Sequence, residues 1–278
     1  MKGYGKMRDL GCITCALLGN SALENMRLIA EAGFTKTFYC WDDNVDAKAF
    51  STRAHELGIE IETLHSPFDV VSEIWNEGEV GDRYTERLRR CVWVAAEYGI
   101  PYVVVHTTCT NRAPLVSNLG IVRFGKIVHE AQKLGVKLAF ENLEFVRHLA
   151  LVFSEFKDSP NVGFCYDVGH EHCYSPGIKY LPLFGDRLFC THIHDNLGIA
   201  PTKDMDYRDD LHRIPYDGNI DFSEVCRGIK ATGFEGTLML EVANRKDYDF
   251  YKGYTPEQFY KKAYESALKL RELCDGKN

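Results

Sequence analysis

Residues 136–141 read VKLAFE and are followed by Asn142 and Leu143. This is an apolar run of strand length, entered from a glycine at 135 and closed by a carboxylate. The same unit recurs along the chain. IEIETLH ends at His65, YVVVH at His106, VGFCYD at Asp167, LFCTHIH at His194 and TLMLE at Glu241. Six apolar runs that each close on a side chain able to ligate a metal point to one architecture. In a (β/α)₈ barrel the C-terminal ends of all strands converge on a single mouth, and that mouth carries the active site.

The helices are punctuated consistently. Gly33-Phe34, Gly58-Ile59, Gly99-Ile100, Gly135-Val136 and Gly233-Phe234 each end a helical pattern and enter an apolar run at once. Glycine takes the left-handed position that stops a helix, so the spacing predicts helix-to-strand junctions along the whole chain. Strands are expected over about 10–16 and 35–41, with later ones ending at 65, 106, 141, 167, 194 and 241. Helices are expected over about 22–32, 46–57, 82–98, 115–134, 146–156 and 178–184, then after Asp221 and after Pro256. Eight alternations imply a closed parallel barrel and a single α/β domain over residues 1–278. An open doubly wound sheet would want a glycine-rich phosphate turn after an early strand, and Leu17-Leu18-Gly19-Asn20 is not one.

Composition narrows the function classes. At 45% apolar and 26% charged the chain is ordinary globular protein. No apolar stretch reaches the ~18 residues of a membrane span, and the opening MKGYGKMRDL carries no apolar leader. The expectation is a cytoplasmic protein with no membrane partner. Its ten cysteines lack framework spacing and read as reduced thiols, including the Cys12–Cys15 pair inside the first run. A net charge of −7 argues against a broad grip on nucleic acid, and none is expected as a partner. A homodimer is the default assembly.

Residues i and i+2 of a strand share a face, so His192 and His194 point the same way. With the terminal residues turned into the mouth, Glu141, Asp167, His194 and Glu241 converge. Three carboxylates and one imidazole form an oxygen-rich site for a divalent cation. The donor set suits Mn²⁺, Mg²⁺ or Co²⁺ and accepts Zn²⁺. More than one ion is allowed by the flanking donors: His65, His106, His170, Asp210 and His212. Trp41, at the end of the second strand, is a candidate to stack on a sugar face.

The runs FENLE (140–144), CYDVGH (165–170), THIHDN (191–196), DLHRIPYDGNIDF (210–222) and LMLEV (238–242) resemble the xylose isomerase-like TIM-barrel superfamily over nearly the whole chain. Resemblance to its ketose 3-epimerases implies that Glu141, Asp167, His194 and Glu241 bind one metal. It also implies that Glu141 and Glu241 act as acid/base groups on opposite faces of a carbohydrate, with His170 and Glu144 on substrate hydroxyls. The implied activity is isomerisation or epimerisation of a sugar, sugar phosphate or keto acid through an enediolate. Those epimerases carry an Arg six residues after the metal His, where this chain has Ala200; Lys203 and Arg208 are the nearby substitutes. Resemblance to the endonuclease IV branch implies instead a three-zinc phosphodiesterase. Its nine ligand positions match His65, His106, Glu141, Asp167, His170, His194, Asp210, His212 and Glu241. A non-catalytic or partner-dependent sugar-binding barrel is the third alternative.

Overall fold

The computed structural model describes residues 7–15, 19–109, 113–199, 206–244 and 249–276. Its strands are β1 (Leu10–Ile13), β2 (Lys36–Cys40), β3 (Glu60–His65), β4 (Tyr102–Val105), β5 (Lys137–Glu141), β6 (Val162–Asp167), β7 (Leu188–His192) and β8 (Leu238–Leu240). Every pairing is parallel, in the order β7-β6-β5-β4-β3-β2-β1-β8. The ring closes between the outer two strands. Ile193 N–H donates to Met239 O at 2.8 Å, and Glu241 N–H donates to Ile193 O at 3.0 Å. The expected single-domain (β/α)₈ barrel is therefore the observed fold.

The helices are α1 (Ala22–Ala32), α2 (Ala47–Leu57), α3 (Glu79–Glu97), α4 (Asn118–Leu134), α5 (Val146–Glu155), α6 (Val168–Tyr174), α7 (Leu181–Phe184), α8 (Phe222–Ala231) and α9 (Pro256–Asp275). Gly33, Gly58 and Gly135 cap α1, α2 and α4 at φ of 112°, 64° and 72°, as the punctuation predicts. The short α6 is additional to the expected helices. Asp167 caps it by accepting from His170 N at 2.6 Å, so one carboxylate both ends a strand and starts a helix. None of the described helices is long and apolar enough to cross a membrane.

The main core lies between the barrel wall and the helices, with Tyr39, Leu64, Phe124, Phe140 and Phe164 each 0% exposed. Burial of each such side chain contributes about 1.5–3 kcal/mol. Inside the ring, Val104, Ala139, Cys165 and Cys190 form a small plug beneath the mouth. The β3–α3 connection is fixed against α4 and the segment after β4 by polar anchors. Arg123, 2% exposed, donates to the carbonyls of Ile74 and Gly78 at 3.0 and 2.9 Å. Trp75 Nε1 donates to Thr107 O at 2.7 Å. These bonds hold the segments that follow His65 and His106.

Candidate metal centre

The mouth gathers overlapping groups of donors, three of them built from carboxylates and imidazoles alone. In the first, the Nε2 atoms of His65 and His106 lie 3.1 Å apart. Glu141 Oε2 is 3.4 Å from the one and 2.9 Å from the other. In the second, Glu141, Asp167, His192 and Glu241 offer ligand atoms all within 4.8 Å of one another. His192 Nδ1 is 2.9 Å from Glu141 Oε1 and 3.1 Å from Glu241 Oε2. The third comprises His170, His194, Asp210 and His212. Asp210 Oδ2 is 3.2 Å from His170 Nε2 and 2.9 Å from His212 Nε2. Glu141 belongs to the first two groups. His194 Nε2, 3.2 Å from Asp167 Oδ1, joins the second to the third.

The structure corrects one member of the expected quartet. His192, not His194, stands among Glu141, Asp167 and Glu241. Parity was right, since both rings face the mouth, but β7 ends two residues earlier than the apolar run suggests. His194 lies beyond the strand and stacks on His212, ring centroids 4.0 Å apart. Counted from His192, the position of the epimerases' Arg is Gly198, again without a cation. Ala200 and Lys203 lie outside the described residues. Arg208 pairs with Asp206 at 2.5 Å. Trp41 is 5% exposed and belongs to the main apolar cluster. Glu144 sits at the rim, 3.5 Å from Thr108 Oγ1.

Residues not singled out in the sequence build this geometry. Asn142, fully buried, accepts from Asp167 N and donates to Asp167 O, both at 2.8 Å, which locks Asp167 in place. Asp195 organises the long loop. It accepts from the backbone of Asn196, Tyr216, Gly218 and Ile220 at 2.9, 2.9, 2.8 and 3.2 Å. Its own backbone pairs with Arg213 at 2.8 Å in both directions, which brings Asp210 and His212 over the mouth.

The donor chemistry fits divalent cations. His65, His170 and His212 each direct Nδ1 at a backbone carbonyl: Ser66 O at 2.8 Å, Asn142 O at 3.0 Å and Glu241 O at 2.8 Å. A carbonyl only accepts, so each Nδ1 carries a proton and Nε2 is the ring atom left to face a cation. Histidine ligands are held in this way. The 2.9–3.4 Å spacings of the first group match three donors at about 2.0–2.2 Å from one cation. Asp167 Oδ2, Asp210 Oδ1 and both ring nitrogens of His194 are buried without a hydrogen-bond partner. Such atoms are costly unless something binds them.

In the metal-free chain protons partly fill that role. Burial pulls His212 down, but Asp210 outweighs it and pushes the imidazole up to about 9. His170 also lies well above its usual value, because Asp167 and Asp210 overcome burial. A histidine raised on folding contributes stability in full below its unfolded value near 6.5 and loses it as pH rises through the folded one. The chelated protein is therefore expected to melt at progressively lower temperature from pH 6.5 to pH 9.5. Saturating Zn²⁺ or Mn²⁺ should flatten that slope, since cation binding displaces the protons. Thermal melts across this range check it, and a flat profile in chelator would contradict the assignment.

Comparison with known proteins agrees with the barrel and its motifs. A family model described as a xylose isomerase-like TIM barrel matches residues 26–270. The chain belongs to that family. An uncharacterized protein of Sinorhizobium fredii is 29% identical, over 90% of this chain and 88% of its own length. An uncharacterized protein of Methanocaldococcus jannaschii is 25% identical, over 85% and 84%. Among solved structures, a D-tagatose 3-epimerase-like protein superposes with TM-score 0.73 at 23% identity, over 95% of this chain and 96% of that one. A xylose isomerase-like TIM barrel/4-hydroxyphenylpyruvate dioxygenase fusion protein gives 0.78 at 21%, over 97% of this chain, which spans 43% of that protein. These structures share the fold with this family member.

Proposed function

We propose that this barrel is a divalent-cation-dependent isomerase or epimerase of a small carbohydrate. The observation that carries it is the pair Glu141 and Glu241. Their carboxylates both approach His192 Nδ1, at 2.9 and 3.1 Å, from the C-terminal ends of β5 and β8. Burial works against ionising Glu141, but His192 and His106 outweigh it and hold the carboxyl well below its usual range. Glu241 is lowered too, by His192 and His212 against burial. Both are thus bases at neutral pH. Glu241 is the accessible one, its side chain 12% exposed against 0% for Glu141.

A cation held by Glu141, Asp167, His192 and Glu241 supplies Lewis acidity toward adjacent oxygens of an α-hydroxy carbonyl compound. One carboxylate takes the proton from the carbon beside the carbonyl. The other returns a proton to the opposite face, which inverts that centre; return to the neighbouring carbon interconverts aldose and ketose. The D-tagatose 3-epimerase-like neighbour supports a carbohydrate substrate. The test is incubation of Mn²⁺-loaded protein with a panel of ketoses, aldoses and keto acids in D₂O. Deuterium should appear by NMR at the carbon beside the carbonyl, with a new isomer. Absence of exchange across the panel would overturn the proposal.

One observation favours a second reading. The group of His170, His194, Asp210 and His212 adds a further set of ligands beside the quartet, as a multi-zinc hydrolase requires. The net charge of −7 weighs against a DNA substrate. Two or three bound zincs with phosphodiester cleavage would favour this reading; one ion with proton exchange favours the first.

A further inference from the structure

The loop that follows β3 brings an exposed aromatic ring to the mouth. Phe68 is 41% exposed, and its ring stacks on that of His106, with centroids 4.7 Å apart and 26° between the planes. The same ring meets His65 edge-on at 5.4 Å. Both imidazoles are buried, so Phe68 covers them on the solvent side. A lone exposed phenylalanine is ordinary on a protein surface. This one is held in place. Tyr84 Oη donates to Pro67 O at 2.5 Å, Ser66 N–H donates to Val104 O at 3.0 Å, and Phe68 O accepts from Val71 N–H at 3.2 Å. The backbone is thus anchored on both sides of the ring, and a ligand that lies on it has little order to impose.

The surroundings of this ring are apolar, negative or already paired. Val70, in the same loop, is 37% exposed. Arg87 is the cation bonded to the loop, and it is held between Asp69 at 2.6 Å and Asp43 at 2.9 Å. Thr108, on the segment that follows His106, donates to Glu144 Oε2 at 3.5 Å, which sets a carboxylate on the neighbouring stretch of rim.

We propose that Phe68 is a specificity-determining shelf for the substrate, taking the uncharged, C–H-rich end of an unphosphorylated sugar against its ring over β3 and β4. The inference rests on the carbohydrate reading of the metal centre and adds the substrate class to it: a free or terminally deoxygenated sugar, and not a sugar phosphate. An aromatic face accepts C–H groups and buries them from water. A phosphate in the same place loses hydration against an apolar ring, and the nearby carboxylate of Glu144 repels it.

The test compares D-fructose and D-tagatose with the terminal deoxy analogue and the terminal phosphate ester of each, in wild type, Phe68→Leu and Phe68→Tyr. Where deuterium exchange marks a substrate, the Mn²⁺-loaded protein should show a KM at least about tenfold higher for the phosphate ester than for its parent. Phe68→Leu should raise KM for the parent about three- to tenfold, with kcat within about twofold and metal content unchanged. Phe68→Tyr keeps the ring and should restore the wild-type KM. Saturation-transfer NMR on the Mg²⁺-loaded protein reads binding of the same sugars without turnover. Failure of the isomerase reading therefore appears as absent deuterium exchange, while the shelf is still read. Saturation should be strongest on the protons of the terminal carbon and should weaken in Phe68→Leu. Tighter binding of the phosphate ester, no saturation of any of these sugars by wild type, or equal KM and saturation in wild type and Phe68→Leu would overturn the proposal.

Discussion

Glu141→Gln lowers turnover by roughly 10²–10⁴-fold, the range a positioned acid/base group supplies. The side chain keeps its shape, but Oε2 no longer meets His106 as an anion at 2.9 Å, nor Oε1 His192 at 2.9 Å. The loss therefore reaches two donor groups at once, since this carboxylate is shared between them. Metal affinity should fall with activity. The backbone of β5 is untouched, so the circular dichroism spectrum should match wild type. Steady-state kinetics on whichever substrate shows proton exchange, with metal content measured in parallel, checks both parts. Activity within tenfold of wild type would remove Glu141 from the chemistry.

Gly169→Ala should be comparably severe for a different reason. Gly169 lies in α6, where alanine is ordinarily better than glycine by about 1 kcal/mol. Here an added Cβ would sit 1.8 Å from His194 Cε1 and 2.3 Å from Nδ1. The imidazole must move, and its place between Asp167 and Asp210 is lost. Overpacking of this kind costs about 1–3 kcal/mol, and disturbed ligand support typically weakens metal binding 10–100-fold. Calorimetric titration of the stripped protein with Zn²⁺ checks it. Wild-type affinity and stoichiometry in the alanine variant would mean that His194 has no part in holding a cation.

The fold was legible because two local rules reinforce each other along the chain. Glycine stops such as Gly33 and Gly135 mark where helices end, and apolar runs such as VKLAFE mark where strands begin. Glu141, Asp167 and Glu241 were legible for a related reason. A charged residue that ends an apolar strand has only the barrel mouth to occupy. The exchange of His192 for His194 was not legible. Alternation assigns both to one face, and only the pairing of Ile193 with β8 shows where β7 stops. Trp41 also ends an apolar run, but the tertiary fold packs it into the core. The split into three donor groups arises from distances between strands, with Asp195 drawing a remote loop over the mouth.

The proposed chemistry needs a divalent cation at the mouth, held by Glu141, Asp167, His192 and Glu241. Anomalous diffraction from crystals grown with Zn²⁺ or Mn²⁺ tests it most directly. A peak is expected within these four side chains, with donor atoms about 2.0–2.2 Å away for zinc. A metal-saturated crystal with no peak there, or with peaks only on surface carboxylates, would contradict it.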